Sequence, residues 1–264
     1  MTQLINPQKF TDTVGLLRSF FLGKGFLEVH TQNRLSILAA CEDPFNVATY
    51  NYADQVWPLP QTGQMWLEHE LLSKPDSKGF FCVSTSYRQE PNAIPGRHDI
   101  IFPMFEFEMP GDVDDLKKME YELCTYLGFD DLTEKTYREW QQHYGVSADT
   151  EMDAQHELAM EMSFGSCLIT DFPELTSPFW NMARNDDGNT AKKMDVILGG
   201  METIGSAERS CDVDMMRDTF HSIVDGDYAE LLFKLFGKER VEGELEEFLK
   251  FDFFPRVGGG IGMT

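Results

Sequence analysis

Apolar side chains return every three to four positions in two segments, and each segment carries the signals of a helix boundary. The first segment opens with Asn6 and Pro7, a common helix start, and reaches Gly23. The second begins at Val113 and stops at Gly128, since glycine is the usual residue just beyond a helix end. We therefore predict one helix in each segment.

Alternation of apolar and polar residues predicts strands at residues 26–31, 79–87 and 100–108. Residues 91–98, which contain Pro and Gly, would form the loop between the last two strands. Residues 194–206 have the pattern of a β-hairpin that turns at Gly199 and Gly200.

The remaining patterns are mostly helical, over residues 130–165 and 213–250. Helices and hairpins follow one another without a strand–helix–strand rhythm, which predicts an α+β fold with an antiparallel sheet flanked by helices. No internal repeat or linker interrupts the sequence. We therefore predict that residues 1–264 form a single catalytic domain.

Composition and charge narrow the classes of function. The chain has 264 residues, 42% of them hydrophobic, and a net charge of -23. Such acidity argues against DNA as a partner. There is no apolar run long enough to span a membrane, no secretory signal at the N-terminus, and the five cysteines include no CxxC pair. We therefore expect a cytoplasmic protein without a membrane partner.

The segment YRQEPNAIPGRHDIIFPMFEFE, from residue 87 to 108, carries the most specific chemistry. Arg88 precedes the loop, Arg97 and His98 lie in it, and Phe102 follows on the returning strand. Arginine binds phosphate through paired hydrogen bonds, and an aromatic ring offers a surface to a base. These residues predict a nucleotide cradle, and the alternative is a surface hairpin with solvated charges.

The same segment resembles motif 2 of the class II aminoacyl-tRNA synthetases, in the aspartyl, asparaginyl and lysyl subclass. The matching pattern is R-x-E, a variable loop, and R-H-x-x-x-F-x-x-x-[DE]-x-E. The resemblance implies ATP as a substrate and a catalytic role for Arg88, which would hold the α-phosphate and the substrate carboxylate. It also implies that Glu90 contacts the adenine end, Phe102 stacks on adenine, and Arg97 or His98 binds the outer phosphates.

Residues LPQTGQMWLEHELL (59–72) resemble the amino-acid pocket of this subclass. The resemblance implies that Gln64 binds the α-amino group, and Glu42 is a second candidate for that contact. Aspartyl enzymes usually carry a lysine where this chain has Leu67, and Glu68 follows it. A substrate carboxylate beside Glu68 would be costly to bury, so an asparagine-like substrate is favoured. The alternative is that Glu68 faces solvent.

Residues MDVILGGMETIGSAERS (194–210) resemble the acidic hairpin of the same subclass. With a turn at the two glycines, Asp195 and Glu202 share one face as diagonal neighbours and are candidate ligands of Mg²⁺. Arg209 matches the family arginine that contacts the substrate side chain. Simple alternation would place Arg209 on the opposite face, so we predict a bulge near Gly205. The alternative is an acidic edge strand.

The resemblance implies an ATP- and Mg²⁺-dependent ligase that forms an aminoacyl-adenylate from an asparagine- or aspartate-like amino acid, closest to the asparaginyl type. Residues 25–31 resemble motif 1, which implies a homodimer. The motifs begin near the start of the given sequence, so we expect no anticodon-binding domain before the core; together with the net charge, this expectation disfavours tRNA and favours a free-standing paralogue. The alternatives are an aspartate–ammonia ligase and a non-catalytic amino-acid or nucleotide-binding paralogue.

The final residues, GGGIGMT (258–264), resemble the start of motif 3. In the family an arginine that grips the γ-phosphate follows these glycines and begins a helix. The given sequence ends where that residue would be due, so we expect the motif 3 helix to be missing from it.

Overall fold

A computed structural model describes residues 5–31, 47–89 and 99–263 of the protein. In chain order the helices and strands are α1 (Pro7–Gly23), β1 (Leu27–Glu28), β2 (Thr49–Tyr52), β3 (Gln55–Pro58), α2 (Gln64–Ser73), β4 (Phe80–Tyr87), β5 (Ile101–Pro110), α3 (Val113–Leu127), β6 (Thr133–Thr136), α4 (Tyr137–Tyr144), α5 (Ala154–Phe164), β7 (Cys167–Pro173), β8 (Thr190–Leu198), β9 (Met201–Arg209), α6 (Val213–Ser222), α7 (Asp227–Phe236), α8 (Lys238–Phe248) and β10 (Arg256–Gly262). Within the described ranges, none of the helices has the length and apolar character that crossing a membrane requires.

The main sheet has eight strands, mostly antiparallel, and helices flank it. This confirms the predicted α+β fold class. Two neighbouring pairs run parallel, β1 with β4 and β6 with β7. Strands β2 and β3 form a separate antiparallel hairpin that the sequence pattern did not predict.

The chain divides into two compact units. The first contains Met1–Met109, Lys234–Phe251 and Gly260–Thr264, and the second contains Pro110–Phe233 and Asp252–Gly259. The single domain expected over residues 1–264 stays a prediction, and the two units are described separately.

In the first unit, α1 begins where the sequence predicts. The side chain of Asn6 accepts hydrogen bonds from the backbone N–H groups of Gln8 and Lys9, at 3.0 and 3.1 Å, which satisfies donors that have no partner inside the helix. The buried face of α1 brings Phe21 against Phe105, with ring centroids 5.1 Å apart. This packing fixes the helix against the strands that carry the motif 2 segment.

Strands β4 and β5 pair antiparallel from Phe80 opposite Glu108 to Tyr87 opposite Ile101, as predicted for the two halves of motif 2. Strand β1 is shorter than the predicted strand, and within the described ranges it lies at the sheet edge beside β4. Its Leu27 side chain is 57% exposed, so this edge lacks the half-buried alternation that the sequence suggests.

In the second unit, α3 confirms the helix predicted from Val113 to Gly128. It begins with a capping box at Asp112 and ends at Gly128, which has a left-handed conformation. The prediction of helix throughout 130–165 is wrong at Thr133–Thr136, where β6 pairs with β7. That pairing partner lies more than thirty residues further along the chain, so the local pattern of polar residues does not indicate it.

A buried cluster lies beneath α4 and α5 in the second unit, and its members are Tyr137, Trp140, Met160, Cys167, Ile169, Phe172 and Ile197. The cluster joins both helices to β7 and β8. Further along the chain, α6, α7 and α8 confirm the helical prediction for residues 213–250.

Candidate active-site elements

The predicted site residues occur in both units, and four of them fall outside the described ranges. These four are Glu42, Glu90, Arg97 and His98. Their roles therefore stay predictions. The remaining seven are Gln64, Glu68, Arg88 and Phe102 in the first unit and Asp195, Glu202 and Arg209 in the second.

Arg88 and Phe102 lie together at the end of the motif 2 strands. The backbone N–H of Arg88 donates to the carbonyl of Ile100 at 2.8 Å, which continues the pairing beyond β4. The guanidinium carbon of Arg88 lies 5.2 Å from the centroid of the Phe102 ring, within the range of a cation–π contact. Phe102 is only half-buried, so its ring is not lost in the interior and can accept a flat ligand.

Helix α2 carries Gln64 and Glu68, which lie one turn apart and therefore share a face of the helix. Gln64 is half-buried, whereas Glu68 is only 1% exposed. The alternative that Glu68 faces solvent is therefore wrong. Leu67 is also completely buried, so this part of α2 places an aliphatic side chain next to the buried carboxylate of Glu68.

Glu106 on β5 fixes the start of α2, a role that the sequence pattern does not indicate. Its carboxylate is completely buried and accepts from the backbone N–H of Gly63, at 2.9 Å to each oxygen. The hydroxyls of Thr62 and Ser84 donate to the same carboxylate. The residue at the helix start, Gly63, has no side chain to cap α2, so Glu106 supplies the negative charge that a helix N-terminus favours.

Gly260 of β10 runs close to the same pocket residues in the first unit. A Cβ built on Gly260 would lie 3.0 Å from the side-chain nitrogen of Gln64 and 2.7 Å from the Cε of Met104. The missing side chain therefore leaves room for the Gln64 amide. Glycine at this position lets the backbone of β10 approach these side chains closely.

In the second unit, β8 and β9 form the predicted hairpin. The turn is made by Gly199 and Gly200, with φ values of 61° and 78°, and two positive values are what a two-residue type I′ turn requires. Leu198 pairs with Met201 and Ile197 with Glu202. The hairpin register predicted from the two glycines is confirmed.

A β-bulge at Thr203 sets which side chains share a face. Val196 pairs with Ile204 while Ile197 pairs with Glu202, so Thr203 is the extra residue. Beyond the bulge, Asp195 pairs with Gly205. Because residues two apart share a face, Asp195, Glu202 and Arg209 all lie on one side of the hairpin. The bulge predicted near Gly205 is present two residues before it.

The carboxylates of Asp195 and Glu202 converge over the bare Cα of Gly205. A Cβ built there would lie 2.6 Å from Oε1 of Glu202 and 3.6 Å from Oδ1 of Asp195. The Nζ of Lys193 lies 2.8 Å from the other oxygen of Asp195, Oδ2. Asp195 is 4% exposed, while Glu202 is exposed. The hairpin therefore holds one buried and one exposed carboxylate around an open notch.

Burial raises the pKa of Asp195 from 3.8 to about 8, and the charge of Glu202 adds to this effect. Lys193 acts in the opposite direction because its ammonium group favours the ionised form, and Glu157 contributes a smaller unfavourable charge. A cation placed between the two carboxylates would therefore relieve a considerable electrostatic cost.

Helix α5 contacts the turn of the hairpin, although no sequence motif points to this region. Glu157 accepts a hydrogen bond from the backbone N–H of Glu202 at 2.9 Å. A Cβ built on Gly200 would lie 3.0 Å from Leu158 Cδ1 and 3.3 Å from its Cα. The helix thus braces the strand end that carries Glu202.

Arg209 lies at the end of β9 and is 3% exposed. Its backbone forms an antiparallel bridge with Met182, the last residue of the segment SPFWNM at 177–182. Trp180 of that segment is completely buried. The bridge therefore ties the end of β9 to this buried segment.

Comparisons with known proteins agree with the motifs. The family model described as "tRNA synthetases class II (D, K and N)" matches residues 8–263. Asparagine–tRNA ligase from Rhodopirellula baltica is 29% identical over 110 residues, which is 40% of this chain and 22% of that protein.

Two solved structures share the fold. Asparaginyl-tRNA synthetase from Pyrococcus horikoshii, complexed with asparaginyl-adenylate, has a TM-score of 0.79 and 19% identity, over 97% of this chain and 62% of that chain. Aspartyl-tRNA synthetase from Entamoeba histolytica has a TM-score of 0.71 and 19% identity, over 97% and 53%. The chain spans less than two thirds of these proteins. The resemblance predicted from motif 2 is confirmed, and the chain belongs to the class II tRNA synthetase family (D, K and N).

Proposed function

We propose that the protein is an ATP- and Mg²⁺-dependent ligase that activates a small, asparagine- or aspartate-like amino acid as its aminoacyl-adenylate. The observation that carries this proposal is the convergence of Asp195 Oδ1 and Glu202 Oε1 over Gly205. A structural hairpin gains nothing from burying one carboxylate beside another, whereas a hairpin that binds a cation needs both.

In this reaction a carboxylate oxygen of the amino acid attacks the α-phosphorus of ATP. The bond from that phosphorus to the bridging oxygen breaks, and pyrophosphate leaves. No protein nucleophile is required, so catalysis consists of positioning and charge stabilisation. Arg88 would hold the α-phosphate and the attacking carboxylate, and Phe102 would stack on adenine, with Glu90, Arg97 and His98 at the ends of the nucleotide.

The hairpin fits a divalent ion in two respects. Oδ1 of Asp195 is buried and has no hydrogen-bond partner among the described residues, and Gly205 leaves the notch between the carboxylates open. Mg²⁺ commonly takes one or two carboxylates and completes its octahedron with water and phosphate oxygens. No set of three His, Cys, Asp or Glu side chains that could hold a metal occurs in the described ranges, and this chemistry requires none. When bound, the ion would neutralise charge on the departing pyrophosphate.

The residues proposed to contact the amino acid belong to α2 in the first unit and to the end of β9 in the second. Gln64, with Glu42, would bind the α-amino group, and Arg209 would contact the substrate side chain. Glu68 is a buried carboxylate, which can accept hydrogen bonds from a side-chain amide but would repel a side-chain carboxylate. Asparagine is therefore the preferred member of the substrate class.

Exchange of pyrophosphate into ATP, tested with each of the twenty amino acids, examines the proposal. We expect exchange with asparagine and less with aspartate. Arg88→Ala should lower the rate at least about a hundredfold, while Arg217→Ala, a surface arginine paired with Asp214, should leave it unchanged. If Arg88→Ala exchanged pyrophosphate at the wild-type rate, the catalytic role assigned to Arg88 would be wrong.

The same assay separates the alternatives. Exchange with aspartate, together with asparagine formation when ammonium is added, would favour an aspartate–ammonia ligase. Absence of exchange with all twenty amino acids from a folded protein would favour a non-catalytic binding paralogue. The acceptor after activation, including tRNA, and the homodimer are further proposals, and light scattering tests the latter.

A further inference from the structure

Lys193 occupies a fixed position beside the proposed metal ligands, and none of the sequence motifs assigns it a role. It lies two residues before Asp195 on β8, so both side chains point to the same face. Its Nζ lies 2.8 Å from Asp195 Oδ2 and 4.1 Å from the centroid of the Phe172 ring. The ammonium group is therefore held from two sides, by a carboxylate and by an aromatic face.

The two oxygens of Asp195 consequently have different surroundings. Oδ2 accepts a hydrogen bond from the ammonium group of Lys193. Oδ1 has no hydrogen-bond partner within the described part of the chain and is directed toward the notch at Gly205. A carboxylate held in this way offers a single oxygen to a metal. Partners that orient a metal ligand commonly tune both its geometry and its affinity.

The lysine also changes the charge that an incoming ion meets. When both carboxylates are ionised, Asp195 and Glu202 bring two negative charges to the notch, and the Lys193 ammonium group, 2.8 Å from Asp195 Oδ2, cancels one of them. A divalent ion on Oδ1 would lie within a few ångström of the ammonium group, where like charges repel strongly in a partly buried site. Additional negative charge, such as that of a polyphosphate, would offset this repulsion.

We propose that Lys193 is a positioning residue that holds Asp195 to one free oxygen and makes firm binding of the divalent ion depend on the nucleotide. This inference rests on the proposed function of the hairpin as a metal site. In the absence of nucleotide the lysine serves as the counter-ion of Asp195. With nucleotide bound, the phosphate oxygens supply the charge and the ligands that the two carboxylates lack.

The test measures Mn²⁺ binding directly, by electron paramagnetic resonance of the free ion, with and without α,β-methylene ATP. We expect Lys193→Met to tighten binding to the nucleotide-free protein by at least about tenfold, with a smaller change when the analogue is present. Lys193→Arg keeps the positive charge, so its binding of Mn²⁺ without nucleotide should remain weak. Lys192→Met is the matched control, because Lys192 forms its own 2.8 Å ion pair with Glu208 on the opposite face of β8.

Binding that is no tighter in Lys193→Met than in the wild type would overturn the proposal. The double variant Lys193→Met, Asp195→Asn should lose the added affinity, and its persistence would also refute the assignment because the ion would then bind elsewhere. Circular dichroism checks that each variant is folded, and Lys193→Gln provides a second neutral variant if the methionine variant is not.

The inference and the proposed function fail in different ways. Suppose the wild type shows no exchange with any amino acid, while Lys193→Met binds Mn²⁺ more tightly. This result would support the metal site and contradict the proposed adenylation. Suppose instead that the wild type is active and that Lys193→Met binds Mn²⁺ with the same affinity. This result would support the adenylation and contradict the role proposed for Lys193.

Discussion

Glu120 on α3 has a carboxyl group with no exposed surface. Replacing Glu120 by glutamine tests how the burial of this group makes the stability of the second unit depend on pH. Burial is the largest influence and raises the pKa of Glu120 from 4.5 to about 8. The hydroxyl of Ser206 opposes this shift, and the charge of Asp195 adds to it. The folded protein therefore keeps Glu120 protonated near neutral pH, whereas the unfolded chain ionises it.

The sign of the effect follows from proton binding in the two states. Between the two pKa values the unfolded state has released a proton that the folded state still holds, so the free energy of unfolding falls as the pH rises. The slope is about 1.4 kcal/mol per pH unit for one group. Over the window from 4.5 to about 8, the loss is on the order of 5 kcal/mol, and it levels off above that window.

Urea unfolding, followed by tryptophan fluorescence from about pH 5 to about pH 8, measures this loss. Glutamine resembles the protonated acid in shape but does not titrate. We expect Glu120→Gln to be no more stable than the wild type at the acidic end and more stable by several kcal/mol at the alkaline end. Glu122→Gln, exposed on the same helix, should differ from the wild type by a constant amount.

A difference between Glu120→Gln and the wild type that does not change with pH would refute the reasoning. It would mean that the folded protein ionises this carboxyl as readily as the unfolded chain does. Carboxyl ¹³C shifts of Glu120 in the folded protein would then be expected to titrate in the ordinary acidic range, which provides a second, independent reading.

Three further substitutions test the pocket and the hairpin. Glu106→Gln removes the charged acceptor at the start of α2 and should lower the free energy of unfolding by about 2 kcal/mol; an unchanged urea midpoint would contradict this. Gly205→Ala would place a methyl group 2.6 Å from Glu202 Oε1, so the Mg²⁺ concentration for half-maximal exchange should rise about tenfold with little change in Tm. Gly260→Ala crowds the Gln64 amide at 3.0 Å and should raise KM for the amino acid more than it lowers kcat; an unaltered KM would show that the amide is not used.

Local signals in the sequence were sufficient for several elements. Asn6 and Pro7 set the start of α1 through a side-chain cap, and Gly199 and Gly200 set the turn of the hairpin because both adopt positive φ. In each case the structure depends on residues that are adjacent in the chain. The motif pattern likewise identified Arg88 and Phe102, which are found in contact at the ends of paired strands.

Other features depend on contacts between distant parts of the chain. The role of Glu106 requires Gly63 and Thr62, more than forty residues away, and the alternating pattern of β5 shows the acid but not its partners. Strand β6 exists only because β7 pairs with it. Lys193 is an intermediate case, since alternation already places it on the face of Asp195, but only the structure shows that its ammonium group is held there.

The bulge at Thr203 has a consequence for how the hairpin can vary among related proteins. In a regular strand, residues an even number of positions apart share a face. The one extra residue of the bulge changes this rule, so Glu202 and Arg209 lie on one face although they are seven positions apart. A homologue that lost the bulge would need an even spacing to present the same pair. Insertions and deletions at this point would therefore occur in compensated form, and an alignment that places a lone gap beside Gly205 would exchange the inner and outer faces of the strand.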